Sequence, residues 1–381
     1  MLSPSVLAYA RPALAAFAAM GVGWGTFAAT LPDLKTMLGV DEGQLGLLIF
    51  MTPIAAISAM FAAPAFGAWT GRAALPLAVM LMALAFALPG QASALWLFPI
   101  AMACAGAATG LTDILMNARV SAMEMARGLH LMNLTHAAYS FAYAGASMLT
   151  GVMRGAGWGP GWVMGTMSVI ALLCAALAIE RDGKIEGLRK PRDGSALPLG
   201  LVPVIGGAIV LIAFMTENAA ENWSALHIEQ TLGGSPEEGA MGPATLALTM
   251  GFARLGGQWL ATRVDAFTIL RLGAMIAVIG ALIVAIAVVP WHAYLGFVIT
   301  GVGASVLAPT TFSLVGQLSP SEARARAVAR ATMLGYFGYF VGPPLLGLIA
   351  GSFGLRFAFV FAAVLVGMIF VFAPIMARQR T

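Results

Sequence analysis

A few ionisable and amide side chains stand inside stretches that are otherwise apolar: Asp113, Asn117, His136, Glu217, Glu221 and Arg254. An unpaired charge in such a setting costs a few kcal/mol or more, so each needs a partner, water or a function. Asp113 and Asn117 are four residues apart and share one face of a helix. His136 falls at similar depth if the stretches 94–121 and 131–153 are neighbouring, oppositely directed helices. A carboxylate beside an imidazole can take up and release a proton near neutral pH. Asp113 and His136 therefore read as a proton-coupling pair; the alternative is a structural pair that locks two helices together. Arg254 suits three roles: holding an anionic group of a bound molecule, closing an inner gate, or snorkelling to the membrane surface. Glu217 and Glu221, one helical turn apart with Asn218 and Asn222 beside them, form either an outer gate or a wet helix end, with Trp223 in an interfacial aromatic belt. Trp24, Tyr139, Tyr336 and Tyr339 read as aromatic walls of a small-molecule cleft or as core.

Other chemistries lack their residues. There is no phosphate-binding loop, no HExxH and no serine nucleophile elbow. Four scattered histidines and two cysteines make no metal set, and no cofactor is expected. Cys104 and Cys174 read as small core residues. His227 and His292 fall at outer span edges and His130 at an inner edge, where all three are expected in water.

The elements that position these groups are helices in lipid. Sixty per cent of residues are hydrophobic and 9% are charged, against about 25% charged in a soluble domain. Twelve apolar stretches are long enough to cross a bilayer: about 12–31, 44–69, 74–90, 94–121, 131–153, 160–179, 199–223, 241–262, 268–289, 292–317, 328–351 and 354–377. Their backbone must satisfy itself internally, and stretches apolar throughout read as helices, not barrel strands. The first, following Arg11, reads as a retained span, not a cleaved leader. With the amino terminus inside, fourteen Lys and Arg lie at inner ends and only Lys35, Arg154 and Arg356 at outer ends. That bias places both termini in the cytoplasm. The net charge of +4 thus reflects orientation, and no nucleic-acid partner is expected.

The charged stretch about 180–198 divides the chain into residues 1–179 and 199–381, six spans each, and reads as a cytoplasmic linker. The halves echo each other. Trp69 precedes Arg72 as Trp259 precedes Arg263, Gly145 follows Tyr139 as Gly342 follows Tyr336, and Gly106 and Gly110 match Gly301 and Ser305. Gly301, Gly303 and Pro309 predict a bent tenth span, and Pro343–Pro344 a flexible eleventh.

Six plus six spans around a cytoplasmic loop resemble the major facilitator superfamily. Gly67-Ala-Trp-Thr-Gly-Arg72 keeps the glycine and an arginine of the family's loop after the second span but lacks its aspartate. Ala253-Arg-Leu-Gly-Gly257 through Arg263, and Gly342-Pro-Pro-Leu-Leu-Gly347, resemble family elements of the eighth and eleventh spans. Asp113-Ile-Leu-Met-Asn117, Met132 to His136 to Ser140, and Asn222-Trp-Ser-Ala225 are similar to a bacterial branch of the family. The resemblance implies an all-α integral membrane protein of the bacterial inner membrane, a monomer acting by alternating access and not an enzyme. Its partners would be a small polar or anionic solute, protons and the bilayer. The fifth span lacks the Gly-Pro element frequent in drug/proton antiporters, which leans toward symport, with export as the alternative. A membrane enzyme or a channel is the remote alternative.

Overall fold

The computed structural model describes residues 4–185, 199–261, 263–320 and 323–379. Among these there are helices and no strands. In order they are α1 (Pro4–Leu38), α2 (Glu42–Ile49), α3 (Met51–Thr70), α4 (Ala74–Ala87) and α5 (Phe98–Arg127). After these come α6 (Met132–Gly155), α7 (Pro160–Leu177), α8 (Val202–Leu226), α9 (Pro236–Ala261) and α10 (Ala266–Ile286). The last are α11 (Pro290–Ala304), α12 (Leu307–Leu318), α13 (Arg324–Phe353), α14 (Leu355–Gly367) and α15 (Ile369–Ala377). Nine helical segments among the described residues are long and apolar enough to cross a membrane, one of them the run Glu42–Gln91. The linker expected over 180–198 lies mostly outside the described residues, as do the side chains of the Trp259 motif.

Local chemistry explains the boundaries. Asp41 caps α2, accepting from the Gln44 backbone at 2.7 Å while the Gln44 amide oxygen accepts from the Asp41 backbone at 3.1 Å. Gly128 ends α5 in the left-handed region at φ +63°. The tenth span is broken between Ala304 and Leu307, close to its glycines. In the eleventh, α13 runs unbroken through Pro343 and Pro344.

Helix pairs approach closely where side chains vanish. A Cβ on Gly106 or Gly110 of α5 would strike the Thr52 or Ala56 carbonyl of α3. Between the two helix groups, Gly46 of α2 sits on the Pro343 carbonyl of α13, and Gly347 lies 2.6 Å from the Glu42 carbonyl by the same measure.

The cores divide unevenly. One buried apolar cluster joins α1, α4, α5 and α7 to the ends of α8, α10 and α13 through Trp223, Leu226, Val284 and Leu346. A second holds only carboxy-terminal residues, from Val202 and Ile209 to Ala373 and Met376. The groups are thus packed together at one end and have separate cores at the other. Cys104 is exposed and Cys174 half-buried, not in the core as expected, because an apolar outer surface is equally hospitable to a thiol in a membrane.

Candidate functional site

The mid-span polar groups meet where α5 and α6 face α8, α9 and α13. Asp113 Oδ1 accepts from the Asn117 amide at 3.0 Å, and Oδ2 accepts from the Tyr336 hydroxyl on α13 at 3.2 Å. Phe214 of α8 packs on Tyr336 at 5.8 Å and stacks on Tyr339 at 4.6 Å, 25° from parallel. Tyr339 in turn donates to Glu217 Oε2 at 3.1 Å. A short aromatic ladder therefore runs across the site with a carboxylate at each end.

A second polar bridge crosses beside it. Arg254 Nη1 donates to Ser140 Oγ at 2.7 Å, linking α9 to α6. Gly251 permits this approach, since a Cβ there would lie 3.1 Å from Ser140 and Phe141 side-chain carbons. Tyr139 packs against Tyr143 on the same helix at 5.9 Å. Trp24 packs edge-on against Phe86 at 5.1 Å and Phe27 at 5.7 Å, and half-buried Trp24 and Tyr139 border the small cluster joining α1, α6 and α9.

Several expectations need correcting. His136 does not partner Asp113: its ring packs edge-on against Phe17 at 4.8 Å, and no hydrogen bond joins it to Asp113 among the described residues. The reason is packing: α6 lies along α1 and α9, whereas α5 lies along α3. Glu217, Asn218 and Asn222 are not at a wet helix end but 6%, 5% and 6% exposed, and Glu221 is half-buried. The helix continues past the apolar run to Leu226 and into a π turn, His227–Thr231, so these four residues lie inside the molecule. Trp223 is fully buried instead of interfacial. His227, expected in water, is also fully buried; its Nε2 lies 3.1 Å from the Val284 carbonyl and its ring 5.1 Å from that of Phe359. Asn218 packs with its Oδ1 3.0 Å from where a Cβ on Gly342 would be.

The sequence reading missed one cluster. Arg154, at the end of α6, has a 1% exposed side chain. It holds Asp33 of α1 in a two-pronged pair at 2.8 and 2.6 Å, and Glu229 of the π turn at 2.7 and 2.9 Å. It also donates to the Ala29 carbonyl at 2.7 Å. Beside it Lys35 pairs with Glu42 and donates to Gln230 Oε1 at 2.9 Å. These contacts tie α1, α2 and α6 to the turn after α8, at the end where the apolar cores merge. The available signal was Arg154 itself, a charge on the side the lysine and arginine bias leaves nearly empty.

A family model described as Major Facilitator Superfamily matches residues 13–299 and 207–380. An uncharacterized MFS-type transporter of Yersinia pestis is 29% identical over 353 residues, 90% of this chain and 89% of its own. The membrane protein MosC of Rhizobium meliloti is 24% identical over 362 residues, 93% and 86% of the two chains. A bacterial homologue of the human lysosomal transporter Spinster, inward-facing and occupied, superposes with a TM-score of 0.75 at 15% identity, covering 99% of this chain and 98% of its own. A D-xylose-proton symporter does so at 0.71 and 15%, covering 95% and 97%. At these identities the structural likeness speaks for the fold alone.

Proposed function

This chain belongs to the Major Facilitator Superfamily, and from that premise we propose that it is a proton-coupled secondary transporter moving a small polar solute by alternating access. It is a multi-pass protein of the bacterial inner membrane. The reading takes α6 and α9 as crossings and divides Glu42–Gln91 near Arg72, giving twelve spans in two groups of six, 1–179 and 199–381, around a cytoplasmic linker. The lysine and arginine bias puts both termini inside. The protein acts as a monomer.

The observation that carries this is the pairing of Asp113 with Tyr336 across the two helix groups. A carboxylate held only by hydroxyl and amide donors, with no cation bonded to it, can accept a proton. Doing so changes the contact between the groups that must move. Arg254 with Ser140, and Glu217 with Tyr339, offer a solute one cationic and one anionic anchor beside aromatic faces. Trp24, Tyr139 and Asn117 complete the lining. Three carboxylates, Asp113, Glu217 and Glu221, against one guanidinium favour a neutral polyhydroxyl or amine-bearing solute over a simple anion. His136, set against Phe17, serves as a nearby positioning group. Uptake by symport is favoured because the fifth span, Gly145-Ala-Ser-Met-Leu-Thr-Gly151, lacks the Gly-Pro element, with export as the alternative.

The test is a thermal-shift screen of sugars, nucleosides and amino-acid derivatives, followed by transport of the hit in proteoliposomes with a pH-sensitive dye inside. Solute should enter with protons, and Asp113→Asn should keep counterflow while losing gradient-driven accumulation. Full accumulation by Asp113→Asn would refute the coupling role.

A further inference from the structure

A groove of about 740 Å³ opens on the outer surface of the amino-terminal helices, between the start of α4 and the end of α7 and beside the start of α1. It shares no lining residue with the mid-span site, and transport as described above makes no use of it. Its rim carries three arginines: Arg11, Arg72 and Arg181. Its wall is apolar, with Leu77, Met80 and Leu172. Met80 is 37% exposed, and Leu173 and Leu177, on the same end of α7, are 63% and 52% exposed, so the wall continues into the lipid-facing surface.

The rim is more basic than its composition suggests. Glu180 also lines it, but Arg119 holds that carboxylate with two hydrogen bonds at 2.8 and 2.7 Å. Arg119 further donates to the Asp182 carbonyl at 3.0 Å, which fixes the chain turn that presents Arg181. Arg11 is anchored by donation to the Ile179 carbonyl at 2.6 Å, which keeps its guanidinium at the mouth. Arg72 and Arg181 are exposed and have no carboxylate partner among the described residues. Three guanidiniums at the cytoplasmic membrane surface, above an apolar slot open to the bilayer, complement one chemistry: a phosphate bearing acyl chains.

We propose that this groove binds an anionic phospholipid of the inner leaflet. Its phosphate lies among Arg11, Arg72 and Arg181, and an acyl chain lies along Leu77, Met80 and Leu172. Bound there, the lipid bridges α1, α4 and α7, all helices of the amino-terminal group, and steadies that group as a unit.

Native mass spectrometry of the full-length protein titrated with phosphatidylglycerol, and separately with phosphatidylcholine, tests this. One tightly retained phosphatidylglycerol is expected, with phosphatidylcholine held far more weakly. R72Q/R181Q, which removes no ion pair among the described residues, should weaken phosphatidylglycerol retention roughly tenfold or more. Leu77→Trp should weaken it by crowding the slot, whereas Arg271→Gln, an exposed charge on α10 away from the groove, should change nothing. Inorganic phosphate should give no thermal shift, because it lacks the apolar half of the ligand. Equal retention by wild type and R72Q/R181Q, or equal retention of the two lipids, would overturn the proposal. A thermal shift with phosphate alone would assign the arginines to a soluble anion instead.

Discussion

The two ends of the molecule hold its helix groups together in opposite ways. At the end bearing Asp33 and Glu229, a buried arginine bridges two carboxylates and the apolar core runs continuously from one group into the other. At the end bearing Val202 and Met376, the carboxy-terminal core stands alone. In the orientation proposed above, the closed end is the outward one and the parted end the cytoplasmic one. The difference teaches where the energy of this conformation resides. An ion pair built on a buried arginine is costly when half removed, so it makes a latch with two clear states. The mid-span contacts are single hydrogen bonds, which form and break readily as the groups move.

Breaking the latch should have the largest effect. Arg154→Ala leaves Glu229 and the partly exposed Asp33 without their cation, at a cost of about 3 kcal/mol to the closed end, the lower end of the range for a fully buried pair. A cysteine replacing Ala240, fully buried where α9 meets Gly151, should then react with an impermeant maleimide from outside in a background without Cys104 and Cys174. No gain in labelling would separate the cluster from outer closure.

Overfilling the α2–α13 seam comes next. Gly347→Leu drives a side chain into the Glu42 backbone and should weaken the closed end by about 1–3 kcal/mol. The same labelling assay should rise, though less than for Arg154→Ala. A smaller change is expected from Tyr336→Phe, which removes one donor to Asp113 and should lower thermal stability by no more than about 1.5 kcal/mol while altering proton coupling. Lys35→Gln should matter least. A glutamine there can still donate to Glu42, so a loss of no more than about 1 kcal/mol is predicted. A loss as large as that of Arg154→Ala would move the latch from Arg154 to Lys35.

The sequence was legible where composition alone decides. Apolar length marks helices, and rare ionisable groups mark Asp113, Glu217 and Arg254 as sites of interest. It was silent on rotation about each helix axis, since neighbouring residues point about 100° apart. Asp113 and His136, expected at similar depth, face different neighbours for that reason. The polar stretch from Glu217 to Asn222 looked like a helix leaving the membrane, whereas its amides and acids face inward and the helix carries on to Leu226. The Arg154 cluster was hidden by distance along the chain, its partners lying 121 and 75 residues away.

The most direct measurement is a pair of spin-label distances in one protein, across each end in turn. Val152 and Val288 are exposed near the outer end, and Met125 and Met333 are exposed near the inner end. Alternating access predicts that Arg154→Ala lengthens the Val152–Val288 distance and shortens the Met125–Met333 distance together. An outer distance that lengthens while the inner one stays fixed would mean a loosened protein without rocking halves, and would contradict the account.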